Sequence, residues 1–292
     1  MEMITNEIAR YENGNCNVIL YADGTKVRFT GEDEFIPEFP ESIDLMITTK
    51  CRNNCPFCYM EASCNGKHAN LRHPLLESLH AGTELAIGGG NPLEHPDLIP
   101  FLMRMKLQGV VCNMTVNWID FDKCNELLHW LSDEKLIHGL GISIPNGLNK
   151  DDFCRITSFP HSVAHTIAGI VSIETLQQLA ETNITTLILG YKHKGRGVGY
   201  FDLSIHNKIE ELRELLSELR SQFSVLSFDN LALEQLDIQS MVSPREWKCN
   251  YMGNDGQFTM YIDLVKETYA ASSLIEGKPI DSNQIEELFH KV

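Results

Sequence analysis

The chain has no long hydrophobic run. No apolar stretch in its 292 residues approaches the roughly 20 that a membrane-spanning helix needs, so a spanning segment is not expected. Residues 1–10 lack a basic start followed by an apolar stretch, so no secretory leader is expected either. Basic residues are scarce: 24 Lys and Arg stand against 40 Asp and Glu, a formal charge of −16. That balance argues against a broad electrostatic nucleic-acid binder and leaves room only for a local basic groove. Internal repeats and low-complexity segments are absent. What remains is ordinary globular material, 43% hydrophobic and 22% charged, long enough for one barrel-sized domain with small additions. Nine cysteines with no expected leader point to a reducing cytoplasm rather than a disulfide framework.

The cysteines are unevenly spread. Cys51, Cys55 and Cys58 follow an apolar run at 43–48 with the spacing C-x3-C-x2-C. Thiolates are soft ligands for iron–sulfur or zinc centres, and short spacings let one loop wrap several sulfurs around one site. A structural zinc site is closed by four protein ligands, whereas three leave a metal position open for chemistry. His68 or Cys64 would be the residue to complete a zinc site.

Around this stretch the pattern alternates between strand and helix. Residues 17–30 read as a hairpin turning at Asp23-Gly24. Strands are expected at 43–48, 84–87, 110–116, 139–144, 162–170 and 186–190, with helices at 74–80, 97–107, 122–131, 174–181 and 209–219. Gly109 is the expected stop of the second of these helices. A further strand and loop is expected at 223–237 and another strand at 258–263. Successive βα units imply a parallel sheet with right-handed crossovers. The fold class is therefore α/β: a partial (β/α)6 TIM-like barrel at 41–222, an N-terminal β-hairpin extension at 1–40, and a short C-terminal α/β extension at 223–292. In such folds chemistry gathers at strand carboxyl ends. The cysteine loop, the run Gly88-Gly89-Gly90-Asn91-Pro92, Asn117, Asn146 and the segment 192–197 all fall there.

With Phe57 directly before the last cysteine, the stretch resembles the signature of the radical S-adenosylmethionine superfamily. The resemblance implies that Cys51, Cys55 and Cys58 hold one [4Fe-4S] cluster whose open iron binds S-adenosylmethionine. Its reductive cleavage yields a 5′-deoxyadenosyl radical that abstracts a hydrogen atom from substrate, under anaerobic conditions, with an electron donor such as flavodoxin or ferredoxin. The glycine run is similar to that family's Gly-Gly-Glu stretch without its acidic residue, which assigns Gly88, Gly89, Gly90 and Asn91, with Phe57, to the cofactor. By position, Asn117 and Ser143 would meet its ribose or carboxylate, and 167–170 would flank the adenine. Lys192 and Arg196, cations in an acidic chain, would hold a cofactor or substrate carboxylate or phosphate.

The stretch around Cys249, Gly253 and Gly256 resembles the start of the SPASM/twitch-like extension that carries further clusters in peptide-modifying members. No cysteine follows Cys249, so a degenerate hairpin with no second cluster is expected. Cys249 is then either a buried apolar residue or a hydrogen-atom donor. The hairpin favours a peptide or protein substrate, modified by cross-linking or epimerisation. A small metabolite or nucleotide is the alternative substrate, and a non-catalytic iron–sulfur or zinc-binding protein the alternative class.

Overall fold

The computed structural model describes residues 6–292. Strands β1 (Glu7–Asn13), β2 (Cys16–Tyr21) and β3 (Lys26–Phe29) form a small antiparallel sheet in that order. The expected hairpin is its β2–β3 half. Asp23 shapes the turn by accepting from Thr25 N at 2.9 Å, and Gly24 takes a φ of 85° that favours glycine. β1 adds to the other edge of β2.

The second sheet contains β4 (Ser42–Thr48), β5 (Glu84–Gly89), β6 (Val111–Asn117), β7 (Gly139–Ser143), β8 (Ser162–Ile167), β9 (Thr185–Leu189), β10 (Leu226–Phe228), β11 (Thr259–Asp263), β12 (Thr268–Ala270) and β13 (Lys278–Pro279). Its ten strands run in the order β10-β9-β8-β7-β6-β5-β4-β11-β12-β13. Every pairing from β10 through β11 is parallel, and β12 and β13 are antiparallel. The C-terminal strands thus continue the sheet, with β11 lying directly beside β4.

Several elements differ from expectation for local reasons. Between β4 and β5 only a 3-10 turn, Pro74–Ser78, forms, because Leu79 returns to extended backbone after one turn. β8 stops at Ile167, where Gly169 with φ 79° turns the chain. Helix Lys150–Ser158 was not foreseen; a capping box of Asn149 and Asp152 starts it and its polar beginning masks Phe153 and Ile156. The expected loop after β10 is helix Asn230–Gln235, capped by Asp229, which accepts from Ala232 N at 2.8 Å. Helix Leu98–Gln108 ends as expected at Gly109, in the left-handed conformation.

Alternation along the strands gives the large sheet two unlike faces. Ile43, Leu45, Leu85, Ile87, Leu140 and Ile142 are essentially inaccessible and join one core with the helices. The opposite face carries Asp44, Ala86, Asn113, Thr115, His165 and Tyr261, all partly or fully accessible. We call it the inner face. At its amino end β3 supplies a buried ionic cluster: Lys26 Nζ lies 2.6 Å from Glu84 and 3.5 Å from Glu41, and Arg28 Nε lies 2.8 Å from Glu41. Lys26 and Glu41 are 5% and 0% exposed, so these charges depend on one another. Among the described residues no helix is long and apolar enough to cross a membrane.

Candidate functional site

The cysteine loop leaves the carboxyl end of β4 and is folded back beside it. Cys51 N donates to Ser63 O at 2.9 Å, Thr49 N to Lys67 O at 2.8 Å, and Ala69 N to Ile47 O at 2.9 Å. Within the loop, Asn54 takes a φ of 48° and Cys58 N donates to Cys55 O at 3.2 Å, a turn that brings these two cysteines round. Asn53 Nδ2 donates to Asp120 Oδ2 at 2.6 Å, which ties the loop to the helix after β6.

Cys51, Cys55 and Cys58 are free, half-buried thiols. Burial pushes the Cys55 thiol up, and negative charge on Cys58 and Cys51 pushes it further. Burial likewise raises Cys51, against a backbone hydrogen bond at Asn53 that lowers it. Burial and neighbouring negative charge thus disfavour ionisation of Cys51 and Cys55, a penalty that a cationic centre would relieve. Among the described residues no three His, Cys, Asp or Glu side chains stand close enough to hold a single metal ion. Of the residues that would complete a zinc site, His68 Nδ1 lies 2.9 Å from Thr48 Oγ1 with its ring against His95, and Cys64 is exposed.

The other expected cofactor residues divide by what surrounds them. A Cβ on Gly88 would meet nothing within 4 Å, so this backbone is open on the inner face. Gly89 and Gly90 are instead pressed onto the root of the loop, where a Cβ would come within 2.3 Å of Thr48 O and 2.2 Å of Lys50 O respectively. Asn91 is buried and caps the turn Pro92–Glu94, accepting from Leu93 N at 3.1 Å. Asn117 caps the helix Trp118–Lys123 by accepting from Ile119 N at 3.0 Å. Ser143 is its register partner on β7. Asn146 joins the loop after β7 to the next unit, donating to Ile170 O at 2.9 Å and accepting from Ser172 N at 2.8 Å.

Phe57 packs edge-on against Tyr200 at 5.6 Å. Lys192 Nζ stands 4.3 Å over the Tyr59 ring and donates to Ser273 Oγ at 2.9 Å. It has no carboxylate at ion-pair distance among the described residues. The Arg196 guanidinium, expected to grip an anion, donates instead to Cys55 O at 2.9 Å and Ala62 O at 3.0 Å. Cys249 is exposed on helix Pro244–Asn250, which overturns the buried apolar reading.

Two inner-face residues escaped the sequence reading. Asp44, on the strand that feeds the cysteine loop, is exposed and makes no hydrogen bond or ion pair among the described residues. Protein nonetheless surrounds its carboxyl group, which raises its pKa, while Lys192 lowers it and Asp255 and Asp229 raise it. His165 is the register partner of Ser143 on β8, and burial pushes its ring down to about 4, so it is neutral near pH 7. The available signal was their alternation: each sits between residues that face the core.

No family model matches the chain, and no curated protein matches it. Solved structures do. SuiB of Streptococcus suis bound to its precursor peptide SuiA superposes with a TM-score of 0.60 at 14% identity, over 87% of this chain and 65% of that one. SuiB bound to S-adenosylmethionine gives 0.57 at 13% identity, over 84% and 64%. SuiB alone gives 0.55 at 14%, over 87% and 66%. SuiB is a radical S-adenosylmethionine enzyme. The likeness establishes a shared mixed α/β fold on a large parallel sheet, and this chain spans less than two thirds of the length of the SuiB chains.

Proposed function

We propose that this chain is a radical S-adenosylmethionine enzyme, with the large sheet curved into a partial barrel, that modifies a peptide. The carrying observation is the set of three half-buried cysteines in one loop at the carboxyl end of β4, on the fold of SuiB. That SuiB has been seen with S-adenosylmethionine and with a precursor peptide supports both the cofactor and the substrate class.

Cys51, Cys55 and Cys58 would hold one [4Fe-4S] cluster. When bound, the cluster supplies the electron that cleaves S-adenosylmethionine and releases a 5′-deoxyadenosyl radical. The open backbone of Gly88 leaves room beside the loop for the methionyl part of the cofactor. Ser143 and Asn117 stand side by side at the neighbouring strand ends. Lys192, an ammonium with no paired carboxylate, offers a charge to a carboxylate of cofactor or substrate.

The inner face receives the substrate. Asp44 presents a carboxyl group with no partner among the described residues, suited to hydrogen-bonding peptide groups, and neutral His165 offers a ring nitrogen as acceptor. The Lys26, Arg28, Glu41 and Glu84 cluster closes the far end against bulk water. Reducing electrons would come from a cytoplasmic flavodoxin or ferredoxin.

The test is Cys55→Ala, anaerobically reconstituted. It is expected to bind little iron and to form no 5′-deoxyadenosine. Full activity in this variant would sink the assignment.

A further inference from the structure

The segment 192–197 reads in sequence as a loop waiting for an anion, yet its arginine is already occupied. Arg196 Nε donates to Cys55 O at 2.9 Å, Nη1 to Ala62 O at 3.0 Å, and its backbone N to Cys58 O at 3.1 Å. One residue therefore grips the cysteine loop at three places. The approach is close: Gly195 has a φ of 54°, and a Cβ there would lie 2.5 Å from Tyr59 O. Tyr191 OH fixes the grip from behind, donating to Gly197 O at 2.8 Å. Arg196 has no carboxylate at ion-pair distance among the described residues, so no carboxylate offsets its charge beside Cys55.

We infer that Arg196 is a positioning residue that braces the cysteine loop from the strand end opposite it and sets the reduction potential of the centre the loop holds. Only a planar fork reaches two carbonyls that diverge along the loop; lysine would carry the charge but reach one of them. A fixed cation beside a cluster favours its more negative, reduced state, and net charge and hydrogen bonding near the thiolates set cluster potentials. The potential rests on the function proposed above, whereas the brace does not.

The experiment compares wild type, Arg196→Lys and Arg196→Gln in two states. In metal-free protein, hydrogen–deuterium exchange of amides 55–62 is expected to be about tenfold faster in both variants, as loss of one or two hydrogen bonds predicts. In reconstituted protein, spectroelectrochemical titration is expected to give Arg196→Gln a more negative potential, while Arg196→Lys stays close to wild type. Circular dichroism checks folding; if Arg196→Gln does not fold, Arg196→Lys carries the exchange test and Arg196→Met replaces Arg196→Gln in the potential measurement. Unchanged exchange in the folded variants would overturn the brace, and an unchanged potential in Arg196→Gln would overturn the electrostatic role. A wild type that assembles no cluster would defeat the proposed function, while the exchange data would still decide the brace.

Discussion

The ring of His165 lies across the backbone of Gly141: a Cβ on Gly141 would stand 2.4 Å from His165 Cε1 and 2.9 Å from Thr115 Oγ1. Gly141 is therefore the gap in β7 that lets a histidine from β8 occupy the inner face. Gly141→Ala is expected to destabilise the protein by about 1–3 kcal/mol through overpacking, measured by urea denaturation. Adding His165→Ala should recover much of that loss, because the two residues share one space. Simple additivity of the two changes would contradict the contact.

The same ring makes stability depend on pH. Burial lowers the folded-state pKa of His165 from 6.5 to about 4, so the unfolded chain binds the extra proton between those values. Its contribution is complete above 6.5 and is lost as the pH falls towards 4. His68, His95 and His161 are lowered in the same direction, also chiefly by burial. The unfolding free energy should therefore fall on acidification through this window, with a shallower slope in His165→Asn. An NMR titration placing the His165 midpoint near 6.5 would contradict its enclosure.

Lys26 is the joint between the small sheet and the large one. Lys26→Met leaves Glu84 without its 2.6 Å partner and weakens the pairing of fully buried Glu41. Removing one member of a buried ion network typically costs about 3–5 kcal/mol, and Lys26→Met should approach that loss. A change below about 0.5 kcal/mol, the scale of a neutral surface substitution, would mean that the cluster is hydrated and does not seal the inner face.

The substrate role proposed for Asp44 is separable from cofactor chemistry. Asp44→Asn should keep the iron content and the substrate-free cleavage of S-adenosylmethionine. With a peptide that the wild type modifies, its turnover should fall about tenfold, as loss of a hydrogen bond to substrate implies. Equal loss in both assays would assign Asp44 to the cofactor side.

The parallel strands were legible because runs such as Thr186-Leu187-Ile188-Leu189 suit a buried sheet, and the cysteine loop was legible because its spacing is local. Gly109 announced its helix end for the same reason. Long-range relations left no such mark. That β11 lies beside β4 depends on packing across more than two hundred residues of chain. The carbonyl partners of Arg196 are backbone atoms, invisible to residue type, so its charge alone suggested an anion. Asn91 and Asn117 drew notice by their position at strand ends, and position alone did not reveal that each also caps the turn or helix that follows, accepting from the second residue after itself. Asp44 and His165 were hidden inside apolar strands, where one polar residue at the alternate position reads as noise until the inner face is seen.

The central claim is tested most directly by anaerobic reconstitution with iron and sulfide, then reduction by dithionite with S-adenosylmethionine, measuring iron per chain and 5′-deoxyadenosine together. A single-cluster radical enzyme should bind about four irons and form the product. A chain that takes up zinc in place of iron, or binds iron without cleaving S-adenosylmethionine, would contradict it.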